Sequence, residues 1–226
     1  MKFKLTFSIV LFLIVTCLSG QTILPKEGYF PGTMTYENGI VRTGYVAAPT
    51  FWNQSHVWFE SDKNGKEEKI KCKDVKSITL QTPNGKTYHF DNIPVCMKEG
   101  RKNLRKRWLV LMLQGYATLY LQSDAFVIDK KGNAFSVTYS SNYYPATQTY
   151  YIRKKNSNTT YFFAQTSPNH NVGNLNHVLK RTSSWYLSED KDLVDKIMTK
   201  KLTHRDVEEI ITIYNDYMEK QNGGVK

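Results

Sequence analysis

Three Asn-Gly pairs, Asn38-Gly39, Asn64-Gly65 and Asn84-Gly85, divide the first half of the chain into segments rich in Val, Ile, Thr, Tyr, Phe and Trp. Asn-Gly accepts the positive φ of a type I′ turn, and the twist of that turn matches the twist of the strands beside it. The stretches "GTMTYENGIVRTGYV", "HVWFESDKNGKEEKIKC" and "SITLQTPNGKTYHF" are therefore expected to form β-hairpins. "AFVIDKKGNAFSVTY" and "TYYIRKKNSNTTYFFAQ" repeat the pattern with other polar turns, and Gly115 marks a bend in "RWLVLMLQGYATLYLQ". Strands paired with their sequence neighbours give an antiparallel sheet, and ten or more of them should curl into a barrel or fold into a sandwich. The turns are irregularly spaced, so no propeller-type repeat is expected.

From about Asn171 the apolar spacing becomes helical. Leu175, Val178 and Leu179 suggest one helix; Leu193, Val194, Ile197 and Met198 form a stripe after Ser188, the expected N-cap. Val207, Ile210, Ile211, Tyr214, Tyr217 and Met218 line one face of a last helix, with Thr203 and Asp206 as a short-armed capping box and Gly223 near its end. The expected fold class is α+β: a hairpin-built antiparallel sheet over residues 21–170, with C-terminal helices over 171–226 packed on it within the same domain.

Residues 1–20 read as a secretory signal. Lys2 and Lys4 precede an apolar run from Leu5 to Leu18, and Ser19, Gly20 and Gln21 stop it short of the about 20 residues a membrane span needs. Ile14 suits lipidation at Cys17, but Thr16 before the cysteine does not, so cleavage near Gly20 and an acyl-free chain starting at Gln21 are expected. The protein is then exported to the periplasm, the outer membrane or the medium, with no transmembrane span after signal removal. Of 31 basic residues only Lys2 and Lys4 are lost, against 20 acidic ones retained, so the chain stays strongly basic. Outside the cytoplasm that charge points to anionic lipid, acidic glycan or an envelope protein, and not to nucleic acid. Cys72 and Cys96 remain as an even pair, and in an oxidising compartment they are expected to form a disulfide, worth about 3.5 kcal/mol for a loop of about 25 residues.

The order of signal peptide, "GTMTYENGIVRTGYV", "LQGYATLYLQ", "TYYIRKK" and "WYLSEDKDLVDKIMTKKLTHRDVEEIITIYNDY" resembles secreted proteins common in Bacteroidota. The resemblance implies an envelope location and carries no chemistry and no functional residue.

Chemical motifs are sparse. His56, His89, His170, His177 and His204 include no pair at metal-ligand spacing, and no metal or other cofactor is expected. There is no Gly-x-Ser-x-Gly and no phosphate loop. Cys72 lies among lysines in "KIKCKDV", which would favour a thiolate, but the disulfide competes for it. Glu60, Asp62, Asp91, Asp124 and Asp129 fall near expected strand ends, where a sheet can pair two carboxylates. The densest feature is "KEGRKNLRKRW", with Lys98, Arg101, Lys102, Arg105, Lys106 and Arg107 against Glu99 alone. Guanidinium forks read phosphate and carboxylate, so a run of this kind can hold an anionic surface, whereas nucleic-acid readout would want more aromatics than Trp108. These features favour a non-enzymatic binding module for an anionic surface or an envelope partner. An envelope glycan hydrolase with two carboxylates is one alternative. A structural accessory subunit of an outer-membrane assembly, using the 15 tyrosines as contact area, is another.

Overall fold

The computed structural model describes residues 28–63, 65–97, 105–136, 147–167 and 174–223. The expected signal segment and the expected start at Gln21 lie outside them. The strands, in chain order, are β1 (Tyr29–Tyr36), β2 (Val41–Ala47), β3 (His56–Glu60), β4 (Glu67–Lys71), β5 (Val75–Gln81), β6 (Thr87–Cys96), β7 (Arg105–Leu113), β8 (Ala117–Gln122), β9 (Phe126–Ile128), β10 (Ala134–Ser136), β11 (Gln148–Lys154) and β12 (Thr160–Thr166). Three helices follow: α1 (Leu175–Tyr186), α2 (Lys191–Met198) and α3 (Val207–Gly223). The fold is α+β, with a large and mostly antiparallel sheet. Among the described residues no helix is long and apolar enough to cross a membrane.

The hairpins fall where the turns demand them. Gly39, Gly85 and Gly132 take φ values of +85°, +78° and +84° at the β1–β2, β5–β6 and β9–β10 turns. Those values lie in the left-handed region that glycine enters without steric cost. Ten strands form one sheet in the order β12-β11-β8-β7-β6-β5-β1-β2-β3-β4, while β9 and β10 make a separate ribbon. The sheet also closes on itself. β12 pairs parallel with β6 through Thr160↔Val95 and Tyr161↔Cys96, so β6, β7, β8, β11 and β12 form a five-stranded ring. A ring of strands that each run opposite to the last has a parallel seam when the strand number is odd.

β6 belongs to both parts of the sheet. Its first half pairs with β5 as far as Ser77↔Asp91, and its end pairs with β12. Between them the buried Asn92 donates to the carbonyls of Cys72 (2.7 Å) and Val75 (3.0 Å), satisfying backbone acceptors that the ladder leaves behind.

Each ring strand gives one residue to a small apolar cluster: Val95, Leu109, Tyr120, Tyr151 and Phe162. The alternate residues of the same strands, including Trp108, Val110, Leu119, Leu121, Ile152 and Phe163, join the main core with the buried faces of β1–β5 and all three helices. Because the helices cover that outer face, the small cluster fills the ring. The stripe expected for α3 is its buried face: Val207, Ile210, Ile211, Tyr214 and Met218 are all buried. Thr203 donates through its backbone N–H and its hydroxyl to Asp206 Oδ2, just before the helix. Asn215 anchors α3 to β8 like a short extra strand, accepting from Ala117 N (2.7 Å) and donating to Ala117 O (3.0 Å).

Two expectations are corrected. Ser188 does not cap α2; the buried Asp190 does, accepting from Leu193 N at 3.0 Å, while the Ser188 hydroxyl turns back to Trp185 O. Cys72 and Cys96 are both buried and are not bonded to each other. Cys72 sits beside Asn92, with Trp108 Nε1 donating to its sulfur at 3.2 Å. Cys96 lies at the far end of β6, four residues or about 13 Å beyond Asn92 along the extended strand, while Cys72 is held at Asn92 by its carbonyl. Burial pushes the Cys72 thiol up from its ordinary value, the reverse of what the neighbouring lysines suggested.

Candidate functional site

The end of β6, the start of β12 and one face of α1 enclose a cleft of about 310 Å³ lined by Cys96, Met97, Tyr161, Phe162, Arg181, Thr182 and Trp185. The ring seam makes this possible, because it sets Cys96 beside Tyr161. Helix α1 is held over the seam by Thr182, whose hydroxyl donates to Phe163 O at 2.6 Å. On the helix, Arg181 and Trp185 are one turn apart and share a face. Trp185 meets Tyr161 edge to face, with centroids 5.3 Å apart, so the two rings form a right-angled corner at the cleft wall.

The basic run begins at this place. Met97 lines the cleft and is followed directly by Lys98; the strand pair resumes at Val95↔Arg105. Lys98, Arg101 and Lys102 lie outside the described residues. Arg105 and Lys106 are exposed on β7, and Lys106 is paired with Glu37 at 2.6 Å. Arg107 is half-buried and points along the ring interior. Its Nη1 donates to Gln122 Oε1 and to the Tyr151 hydroxyl (2.7 Å), and its guanidinium stacks 4.1 Å over Trp52. The Tyr151 hydroxyl donates on to Gln122 Oε1 (3.0 Å), and burial pushes it up to about 12. Gln122 Nε2 donates to both oxygens of Asp124, whose carboxyl is held above the usual range by burial. The sequence carried a signal for this: Arg107 is in phase with Leu109 and Leu111, not with the outward positions of β7.

A second polar chain runs through Thr79, His89, Asp91, Tyr120 and Arg153. Thr79 Oγ1 and His89 Nδ1 share a hydrogen bond of 2.9 Å, and His89 Nε2 lies 3.0 Å from Asp91 Oδ1. The Tyr120 hydroxyl donates to Asp91 Oδ2 (3.1 Å) and accepts from Arg153 (2.6 Å). Asp91 and Asp124 thus belong to separate networks. Asp129 accepts from Lys131 N and Asn133 N within the β9–β10 turn, and Glu60 ends β3 opposite Glu67. His56 bonds Ser55, His204 bonds Asn176, and His170 lies outside the described residues. Among the described residues no three His, Cys, Asp or Glu side chains stand close enough together to hold a metal ion.

Most cations on the described ring strands have partners: Lys106 with Glu37, Lys154 with Glu189, Arg107 and Arg153 with tyrosines. Arg181 is exposed at the cleft and its guanidinium has no partner among the described residues. Comparison with family models, with curated proteins and with solved structures finds no match to this chain.

Proposed function

We propose that the protein is an exported, non-enzymatic binding module for an anionic partner in the cell envelope. The observation that carries this reading is the coincidence of Arg181, whose guanidinium has no partner among the described residues, an aromatic cleft and the residue from which the basic run continues, all at one end of the ring. A concave, largely apolar site with a few polar groups is the usual form of a ligand site. A chain that stays strongly basic after Lys2 and Lys4 are lost draws anions to such a site from a distance.

The test is co-sedimentation with anionic vesicles and with an acidic polysaccharide. The variant to compare replaces Lys98, Arg101, Lys102 and Arg105 with Gln and keeps Arg107, whose guanidinium ties β7 to β8 and β11. Wild type should bind at least one of the two at low salt and release it as the salt is raised, since the Debye length falls from about 30 Å at 0.01 M to about 8 Å at 0.15 M. The variant should bind less. No binding of either probe by the wild type would refute the reading.

A further inference from the structure

We infer that the cleft between β6, β12 and α1 is a subsite for one carboxylated sugar ring of an acidic glycan, with Arg181 reading the carboxylate and the Trp185–Tyr161 corner holding the ring. This deepens the anionic-partner reading and rests on it. The argument runs from three features. The cleft is apolar along Cys96, Met97 and Phe162, so an anion with no apolar surface, such as inorganic phosphate, has little to gain by entering it. Two aromatic rings meet at 82°, which offers flat apolar surface against which the C–H face of a sugar ring can pack. Arg181 stands one turn from Trp185 with no described partner, and its planar fork matches a carboxylate held at the edge of such a ring. About 310 Å³ lies at the small end of ligand-site volumes, which suits a single ring. A membrane surface would favour a flat or protruding basic face, whereas Arg181 and Trp185 line a hollow.

Binding is measured by titrating polygalacturonate, its methyl ester and anionic phospholipid vesicles into the whole protein, following tryptophan fluorescence and heat. Wild type should bind polygalacturonate roughly tenfold or more tightly than the methyl ester, which keeps the rings and loses the charge. Arg181→Gln should lose about the same factor for polygalacturonate and little for the ester, and Arg181→Lys should recover only part, because the fork is gone. Trp185→Phe, which keeps an aromatic wall, should retain more affinity than Trp185→Ala, with circular dichroism confirming that both fold. If Arg181→Gln binds polygalacturonate like wild type while the four-Gln variant of the basic run does not, the anionic-partner reading survives and the cleft assignment is overturned. Binding of vesicles alone also overturns it. Wild type that binds none of the three overturns both.

Discussion

Replacing Gly115 with Ala should destabilise the protein through a residue one hundred positions away. A Cβ at 115 would lie 2.6 Å from Asn215 Cγ and closer still to Nδ2, so the amide must leave its place. That amide makes both hydrogen bonds that fasten α3 to Ala117, and Ala117 is fully buried. Two bonds at about 1 kcal/mol each, plus part of the penalty for leaving a buried N–H and C=O unpaired, put Asn215→Ala at about 2–4 kcal/mol. Gly115→Ala should cost a similar amount, which is a large share of the roughly 5–15 kcal/mol that holds a domain folded. In an Asn215→Ala background the clash is gone. There Gly115→Ala should be neutral or stabilising by about 0.4–1 kcal/mol, because Gly115 does not take a positive φ and alanine restricts the unfolded chain. Urea unfolding of the four proteins, followed by tryptophan fluorescence, gives the double-mutant cycle. The expected coupling is about 2 kcal/mol or more, and additivity within about 0.5 kcal/mol would refute the reasoning.

Three further outcomes are expected. Thiol titration of denatured, unreduced protein that starts at Gln21, and so lacks Cys17, should find two thiols, and the native protein should react slowly at both because Cys72 and Cys96 are buried; finding none would mean a bridge had formed. Asp124→Asn should raise stability at neutral pH relative to wild type. A carboxyl whose folded pKa is raised by burial costs stability as pH climbs from about 3.9 through that raised value, so the gap between the two urea midpoints should open over this window and stay constant above it. Arg42→Gln should cost on the order of 1 kcal/mol, since the pair with Glu68 is only partly buried. Arg42 hydrogen bonds hold the Glu68 carboxyl below its usual range, so that contribution is present above about pH 4.3 and fades as pH falls through the lowered value; a variant difference unchanged between pH 7 and pH 3 would contradict this.

Local chemistry was legible in the sequence wherever it had a short-range cause. The glycines of the Asn-Gly turns at 39 and 85 sit at positive φ, and the α3 stripe from Val207 to Met218 is buried because three- and four-residue spacing fixes a helix face. What could not be read depends on contacts between distant segments. Nothing near Val95 or Thr160 announces that the two will pair, so the ring was invisible, and with it the cleft, whose walls come from residues 96–97, 161–162 and 181–185. The basic run was read as one patch by counting charge. Strand alternation divides its end differently, turning Arg107 inward with Leu109 and Lys106 to the opposite face, while Arg105, in phase with Arg107, is exposed at the strand's first position. The disulfide failed for a related reason: parity of cysteines says nothing of the distance between Cys72 beside Asn92 and Cys96 at the far end of the same strand.

The parallel seam of the ring also bears on how the chain reaches its native state. Every other ring contact joins strands that are neighbours along the chain or are separated by one ribbon, but Val95 and Thr160 are about 65 residues apart and only two register pairs join the strands. Closing so long a loop carries the largest entropic cost in the ring and gains the fewest ladder bonds. The hairpins are therefore expected to assemble first, as an open and curling sheet, with the seam zipping last. The same imbalance operates in reverse. In native-state hydrogen exchange the amides at this junction should open before those of β7 and β8, giving the region around Phe162 and Tyr161 a lower local stability than the rest of the ring.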